Sequence, residues 1–204
     1  MAFINIIPPS RSEGATRDMY ARQQAAYGYV PNYAKVFSHR PEVMARWGKL
    51  LAEIRRPMDD RMFELATFAA AIELKNTACA LAHGQQLAQF LAADEVVAVA
   101  QGRGTAALSE AEQAVVRFSR KSARDASSIT QADVDELQAY GYSDAEIFDI
   151  AVTVAGRAFL TKVLDSLGVE TDASAMKLDA AFREPLTVGR PVSREDLEHL
   201  DASA

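Results

Sequence analysis

Between Arg61 and Gly84 the sequence reads RMFELATFAAAIELKNTACALAHG, and this stretch limits the fold more than any other. Its alanine density, LATFAAAI, lets neighbouring helices approach closely, and Lys75-Asn76 marks a turn between two helical runs. The stretch holds the one cysteine of the chain, Cys79, one of its three histidines, His83, and Glu64 inside an otherwise apolar run. Cys79 and His83 are four residues apart, a spacing that stacks them on one face of an α-helix. Asn76 is placed to cap that helix, which sets Cys79 in its first turn at N3. There the positive end of the helix dipole favours thiolate over thiol.

Glu64 falls on the preceding helix, read as 59–74. For two antiparallel helices, Glu64 then lies roughly 16 Å from the turn, His83 about 12 Å and Cys79 about 6 Å. The glutamate therefore reaches the histidine before the cysteine. The order Glu64, His83, Cys79 is that of a proton relay ending on a sulfur nucleophile. Read singly, a free cysteine is more often core than nucleophile, and a helical glutamate is more often solvated.

The remaining composition bounds the function. A chain of 204 residues with 49% hydrophobic content can bury one domain, with or without appendages. A net charge of −6 and a pI near 5.1 argue against nucleic acid or an anionic membrane as partner, since both call for clustered positive charge. A lone cysteine rules out an intrachain disulfide framework and suits a reducing compartment. The N-terminal MAFINIIPPSRSEG has too short an apolar run for a signal peptide or membrane helix. A soluble cytoplasmic protein is expected. QGRGTAAL follows no strand and lacks the Walker lysine, so it reads as a loop.

Taken in order, residues 1–13 read as an extended arm stopped by Pro8-Pro9, with FINII adding a short strand or tucking into a groove. An amphipathic helix follows from Thr16 to Tyr27, ended by Gly28. YGYVPNYAKVF is aromatic and turn-like, with Tyr29, Tyr33 and Phe37 going to core packing or lining a pocket. His39 reads as a surface or capping residue. Pro41 opens a helix to about Arg55 whose apolar stripe is Val43, Met44, Trp47, Leu50, Leu51 and Ile54, assigned to the core. Arg55-Arg56 reads as a solvated face. The second motif helix is expected to continue through Leu87, Phe90 and Leu91.

Three capping boxes, Ser109 with Glu112, Thr130 with Asp133 and Ser143 with Glu146, open further helices. The last runs to Gly168 and is apolar around much of its circumference between Ile147 and Phe159. It must be buried on several sides, in the bundle or at a subunit interface. Arg157 within it is an interfacial ion-pair partner or a pocket cation. The segment 175–204, with Pro185, Pro191 and a box at Ser193 and Asp196, reads as an arm with one short helix and an exposed His199. The expected organisation is an arm at 1–13, an all-α domain at 14–174 and a C-terminal arm at 175–204.

At Glu64, Asn76, Cys79 and His83 the chain resembles the alkylhydroperoxidase D and carboxymuconolactone decarboxylase superfamily. Its redox-active members carry a glutamate, two cysteines twelve and fifteen residues later, and a histidine nineteen residues later. Counted from Glu64, these offsets fall on Asn76, Cys79 and His83. The first cysteine is thus replaced by Asn76, and the histidine that some members carry before the second cysteine is Ala78. YGYVPNYAKVFSHRPEVM and YGYSDAEIFDIAVTVAGRAFLTKVLDSLGVETD are similar to the peroxidase-related branch and extend the likeness over most of residues 20–190.

The resemblance implies an all-α bundle of seven or eight helices, forming a homo-oligomer through the long C-terminal helix. In two-cysteine members the cysteine nearest the histidine attacks peroxide and the other resolves it. The implied activity is therefore a one-cysteine, peroxidase-like reduction of hydrogen peroxide or organic hydroperoxides by Cys79, His83 and Glu64. It uses an external thiol reductant and neither metal nor organic cofactor. The cysteine-free members imply an alternative, a lyase, hydrolase or isomerase in which Glu64 and His83 act as base and acid on a small carboxylated lactone. A non-catalytic oligomeric scaffold is a third reading. A transition metal on Glu64, Cys79 and His83 is chemically competent but has no precedent in the resemblance.

Overall fold

Helix boundaries follow the polar residues that the sequence places ahead of each apolar run. The computed structural model describes residues 2–193, and these form ten α-helices. They are α1 (Gly14–Tyr27), α2 (Asn32–Val36), α3 (Pro41–Arg55), α4 (Asp60–Glu73), α5 (Thr77–Leu87), α6 (Ala93–Ala100), α7 (Glu110–Asp125), α8 (Gln131–Ala139), α9 (Asp144–Ser166) and α10 (Ala180–Leu186). Pro41 opens α3, and Asp59 and Asn76 cap α4 and α5 by accepting from Met62 N and Cys79 N. Ser109 and Ser143 form their boxes with Glu112 and Glu146. At α8 the bonds run from Thr130 N and Oγ1 to Asp133 Oδ2.

The all-α class is as the sequence indicates, but there are more helices than the expected seven or eight. The additional ones are short. α2 forms inside the aromatic turn, α10 lies in the C-terminal arm, and α6 follows a break where α5 was expected to continue. α5 stops at Leu87 because Gln89 and Phe90 turn back onto Gln86 and Leu87, and Glu95 accepts from Ala92 N to start α6. The expected helix after Ser193, and His199, lie outside the described residues. Among the described residues the one β-contact is an isolated bridge between Thr171 and Val192, so FINII makes no strand. Phe3 N instead donates to Leu167 O, and the Phe3 ring packs under Arg190. His39 is exposed, its Nε2 2.6 Å from Asn5 O. No helix among the described residues is long and apolar enough to cross a membrane.

α4 is the central helix. Leu65, Ala66, Phe68, Ala69, Ala70 and Ala71 are fully buried, and α5, α7 and α9 all pack on it. Small alanine side chains are what allow three helices to close on one. Ile72, Ala80, Leu81 and Leu87 meet α6 and α10 on one side, and Ala66 of α4 meets Val115 and Phe118 of α7 and Ile150 of α9 on another. A third cluster joins Met19, Tyr20, Phe37, Ala71, Leu160 and Leu164 around Cys79. Phe37 thus goes to the core.

The α3 stripe does so only in part, through Met44 and Trp47, which pack on that third cluster. Val43 and Leu50 are exposed, and with Trp47, Ile54, Phe148 and Phe159 they wall an apolar groove between α3 and α9 of about 630 Å³. Phe148 leaves 64% of its surface exposed. Helical periodicity identifies an apolar face but not the surface that covers it.

The α4–α5 turn is tight. Lys75 takes the left-handed conformation (φ 56°), and Asn76 N donates back to Ala71 O. The C-terminal arm closes over this turn, with Gly189 N donating to Thr77 Oγ1. A Cβ at Gly189 would run into the Lys75 carbonyl. Gly189→Ala is therefore expected to lift the arm off the turn and lower stability by about 1–3 kcal/mol, read by urea denaturation. A full-length variant as stable as the parent would disprove this packing.

Candidate active site around Cys79 and His83

The α4–α5 hairpin brings the predicted residues to one place, each held by its own local cause. Asn76 Oδ1 accepts from Cys79 N at 2.9 Å, fixing Cys79 at the amino end of α5. One turn on, His83 Nδ1 donates to Glu64 Oε2 at 2.7 Å. An ionised carboxylate has no proton to give, so this bond leaves His83 Nε2 as the acceptor nitrogen. Glu64 is buried, while His83 keeps 17% of its side chain exposed, so the pair sits just inside the surface. The glutamate reaches the histidine, as the helix heights predict.

The second half of the relay is not closed. Cys79 Sγ has Arg157 Nη1 at 3.8 Å as its hydrogen-bond partner, and no such bond joins it to the His83 ring. Arg157 comes from α9 and is 5% exposed. Its guanidinium lies against the Trp47 ring, 5.8 Å from the centroid, and Trp47 Nε1 donates to Gly156 O. Arg55, read as a solvated residue, reaches back so that Nη1 is 4.0 Å from Glu64 Oε1, while Nη2 pairs with Asp60. Neither arginine lies at a spacing from Cys79 or Glu64 that would mark it. Asn76 also donates from Nδ2 to Asp165 Oδ2 at 3.1 Å.

Electrostatics separate the two titratable partners. Burial first, then the charge of Arg157, pushes His83 down to about 4, against the upward pull of Glu64. The imidazole is therefore neutral at physiological pH and free to accept a proton. Burial likewise pushes the Cys79 thiol up; Arg157 pulls it down, and Asp165 adds a smaller upward push. The expected preference for thiolate at N3 is thus outweighed. A helix terminus contributes only about 0.3–1 kcal/mol, and the net direction at the thiol is upward. No cluster of three or more metal-competent side chains is present among the described residues.

The His83 shift has a sign that can be tested. The ring binds a proton near pH 6.5 in the unfolded chain and only near pH 4 in the fold. Its contribution to stability is complete above the higher value and is lost as the pH falls towards the lower one. The expected loss is up to about 3 kcal/mol between about pH 7 and about pH 4. Urea midpoints across that range should fall more steeply for the parent than for His83→Gln. Parallel curves would refute a His83 held neutral by the fold.

No family model matches the chain, and no curated protein matches it in sequence. Solved structures do. The alkylhydroperoxidase AhpD core of an uncharacterized peroxidase-related protein from Ralstonia eutropha JMP134 is 17% identical with a TM-score of 0.68, covering 93% of this chain and 98% of that one. An uncharacterized peroxidase-related protein from Silicibacter sp. TM1040 is 18% identical with a TM-score of 0.64, covering 90% and 92%. The debrominase Bmp8 is 16% identical with a TM-score of 0.67, covering 89% and 94%. Chains this distant share a fold and not necessarily an activity, as the debrominase illustrates. The chain has the all-α fold of the alkylhydroperoxidase AhpD core.

Proposed function

We propose that the protein is a thiol enzyme of the peroxidase-like type, with Cys79 as nucleophile and the Glu64–His83 pair as its acid–base partner. The observation that carries this reading is the 2.7 Å bond from His83 Nδ1 to buried Glu64, one helical turn from a cysteine capped at N3. The resemblance at these positions and the peroxidase-related structural neighbours support it.

In the proposed reaction, His83 Nε2 accepts the thiol proton as Sγ attacks the distal oxygen of a hydroperoxide. The S–O bond forms, the O–O bond breaks, and the departing alkoxide or hydroxide takes the proton back from His83. Thiol and hydroperoxide become sulfenic acid and alcohol or water. One external thiol then condenses with the sulfenic acid, releasing water, and a second frees Cys79 as the external disulfide leaves. Asn76 stands where two-cysteine members carry the other cysteine, so the reductant comes from outside this chain or from a second subunit. Cytoplasmic placement suits that dependence on reducing thiols.

Cys79→Ser is expected to abolish peroxide consumption and the trapping of a sulfenic acid by mass spectrometry. His83→Gln should lower the rate by roughly 10²–10⁴-fold. Peroxide turnover retained by Cys79→Ser would sink the redox mechanism.

A second reading also rests on a specific observation: Glu64 and His83 are bonded to each other while Sγ makes no bond to the ring. In that reading the pair does acid–base chemistry on a small carboxylated lactone and Cys79 lines the pocket. Lactone turnover that survives Cys79→Ser but not His83→Ala would select it.

The exposed apolar groove between α3 and α9 supports a homo-oligomer in which a second copy covers Phe148, Leu50 and Phe159. Phe148→Glu is expected to shift the sedimentation coefficient towards the monomer while leaving the circular dichroism spectrum unchanged. A parent that sediments as a monomer would refute this.

A further inference from the structure

Arg157 presents a charge that the fold has not balanced. Its side chain is buried, it makes no ion pair among the described residues, and Nε has no hydrogen-bond partner. A guanidinium keeps its proton throughout the working range of a protein. Holding such a charge out of water is unfavourable unless an anion answers it. Trp47 offers it only a ring face, a partial compensation.

Each nearby ionisable group is accounted for. Asp165, also on α9, accepts from Asn76 Nδ2 and acts on Cys79 through its charge. Glu64 on α4 is taken by His83 and faces Arg55. His83 on α5 is itself disfavoured as a cation by Arg157. Arg190, from the C-terminal arm, donates to the Asp165 carbonyl. What remains in front of Arg157 Nη1 is Cys79 Sγ, at 3.8 Å.

We infer that Arg157 is the counter-ion of the Cys79 sulfur, the group that receives the thiolate as it forms. When the S–H bond breaks, the electron pair stays on sulfur facing Nη1, and the proton leaves towards His83 Nε2 or water. The neutral thiol is a weak acceptor for a guanidinium, whereas the thiolate makes a charge-assisted bond. Arg157 therefore lowers the barrier to ionisation in a pocket whose burial raises it. The inference deepens the thiol reading above, because it gives Cys79 a dedicated partner. Its own observable is the titration of the thiol, which requires no peroxide.

The test is the pH dependence of Cys79 alkylation by iodoacetamide in the full chain, compared among the parent, Arg157→Lys and Arg157→Met. Circular dichroism reports the folded state of each. Removing a cation this close should raise the thiol midpoint by roughly one to three pH units in Arg157→Met, with Arg157→Lys in between. At fixed neutral pH that is a loss of about ten-fold or more in alkylation rate. A folded Arg157→Met whose midpoint stays with the parent overturns the assignment, and so does a lysine variant no better than the methionine one.

If Arg157→Met fails to fold, Cys79→Asp and Cys79→Asn provide the same test with Arg157 in place. A carboxylate facing Arg157 should make the aspartate variant the more stable at neutral pH. Its advantage should disappear as the pH falls through the lowered carboxylate value. Equal stability of the two at neutral pH overturns the pairing. The two readings fail separately. A midpoint that moves in a protein inert to peroxide removes the peroxidase activity and keeps the counter-ion. Peroxide turnover with an unmoved midpoint does the reverse.

Discussion

A carboxylate on an alanine-lined helix needs a partner before it can be buried as an ion. Glu64 lies between Phe63 and Leu65 on α4, with almost no exposed surface. Placing a charged group there would cost several kcal/mol without compensation. His83 Nδ1 supplies the close hydrogen bond, and Arg55 supplies a longer-range charge at the mouth. The requirement fixes the register of the hairpin. Sliding α5 by one turn along α4, about 5.4 Å, would strand the carboxylate among alanines. The left-handed Lys75, the Asn76 cap and the Gly189 backbone against the turn all hold that register.

The same geometry decides how protons move. Burial and Arg157 both hold His83 in its neutral form, while burial and Arg157 act on Cys79 in opposite directions. Arg157 thus favours the deprotonated state of both groups. A proton passing from the thiol to the imidazole cannot rest there, because a site near 4 is a weak store at neutral pH. In the peroxidase-like reading it continues to the departing oxygen, a far stronger base once the O–O bond has broken. In that reading Glu64 would serve the transit by fixing the tautomer that leaves Nε2 open.

What could be read from the sequence was whatever depends on local geometry. The caps at Asn76, Ser109 and Ser143 are encoded within three residues of the groups they satisfy. The meeting of Glu64 with His83 follows from helical rise on either side of one turn. The Arg157–Cys79 contact spans 78 positions and depends on how α9 crosses α5, which no periodicity encodes. Arg55 is exposed as the sequence reads it, with 47% of its side chain open, but its reach to Glu64 is set by α3 meeting α4. The α3 stripe shows the complementary limit. Its spacing reveals an apolar face, yet Val43 and Leu50 stay exposed because nothing among the described residues covers them.

Asn76 then acquires a physical meaning at the position where the resemblance places a cysteine. Its amide serves two neighbours at once, accepting from Cys79 N and donating to Asp165 Oδ2. A thiol, a weak donor and a weak acceptor, could not do both well. Asp165 and Arg157 lie eight residues apart on α9, about 12 Å along its axis, and both face the first turn of α5. Without the amide, Asp165 would lose the donor that offsets its burial. Its charge is the one that pushes the Cys79 thiol upward. By engaging the carboxylate, Asn76 ties the helix start to the acidic group on α9. The sulfur one turn further along is left facing the basic one.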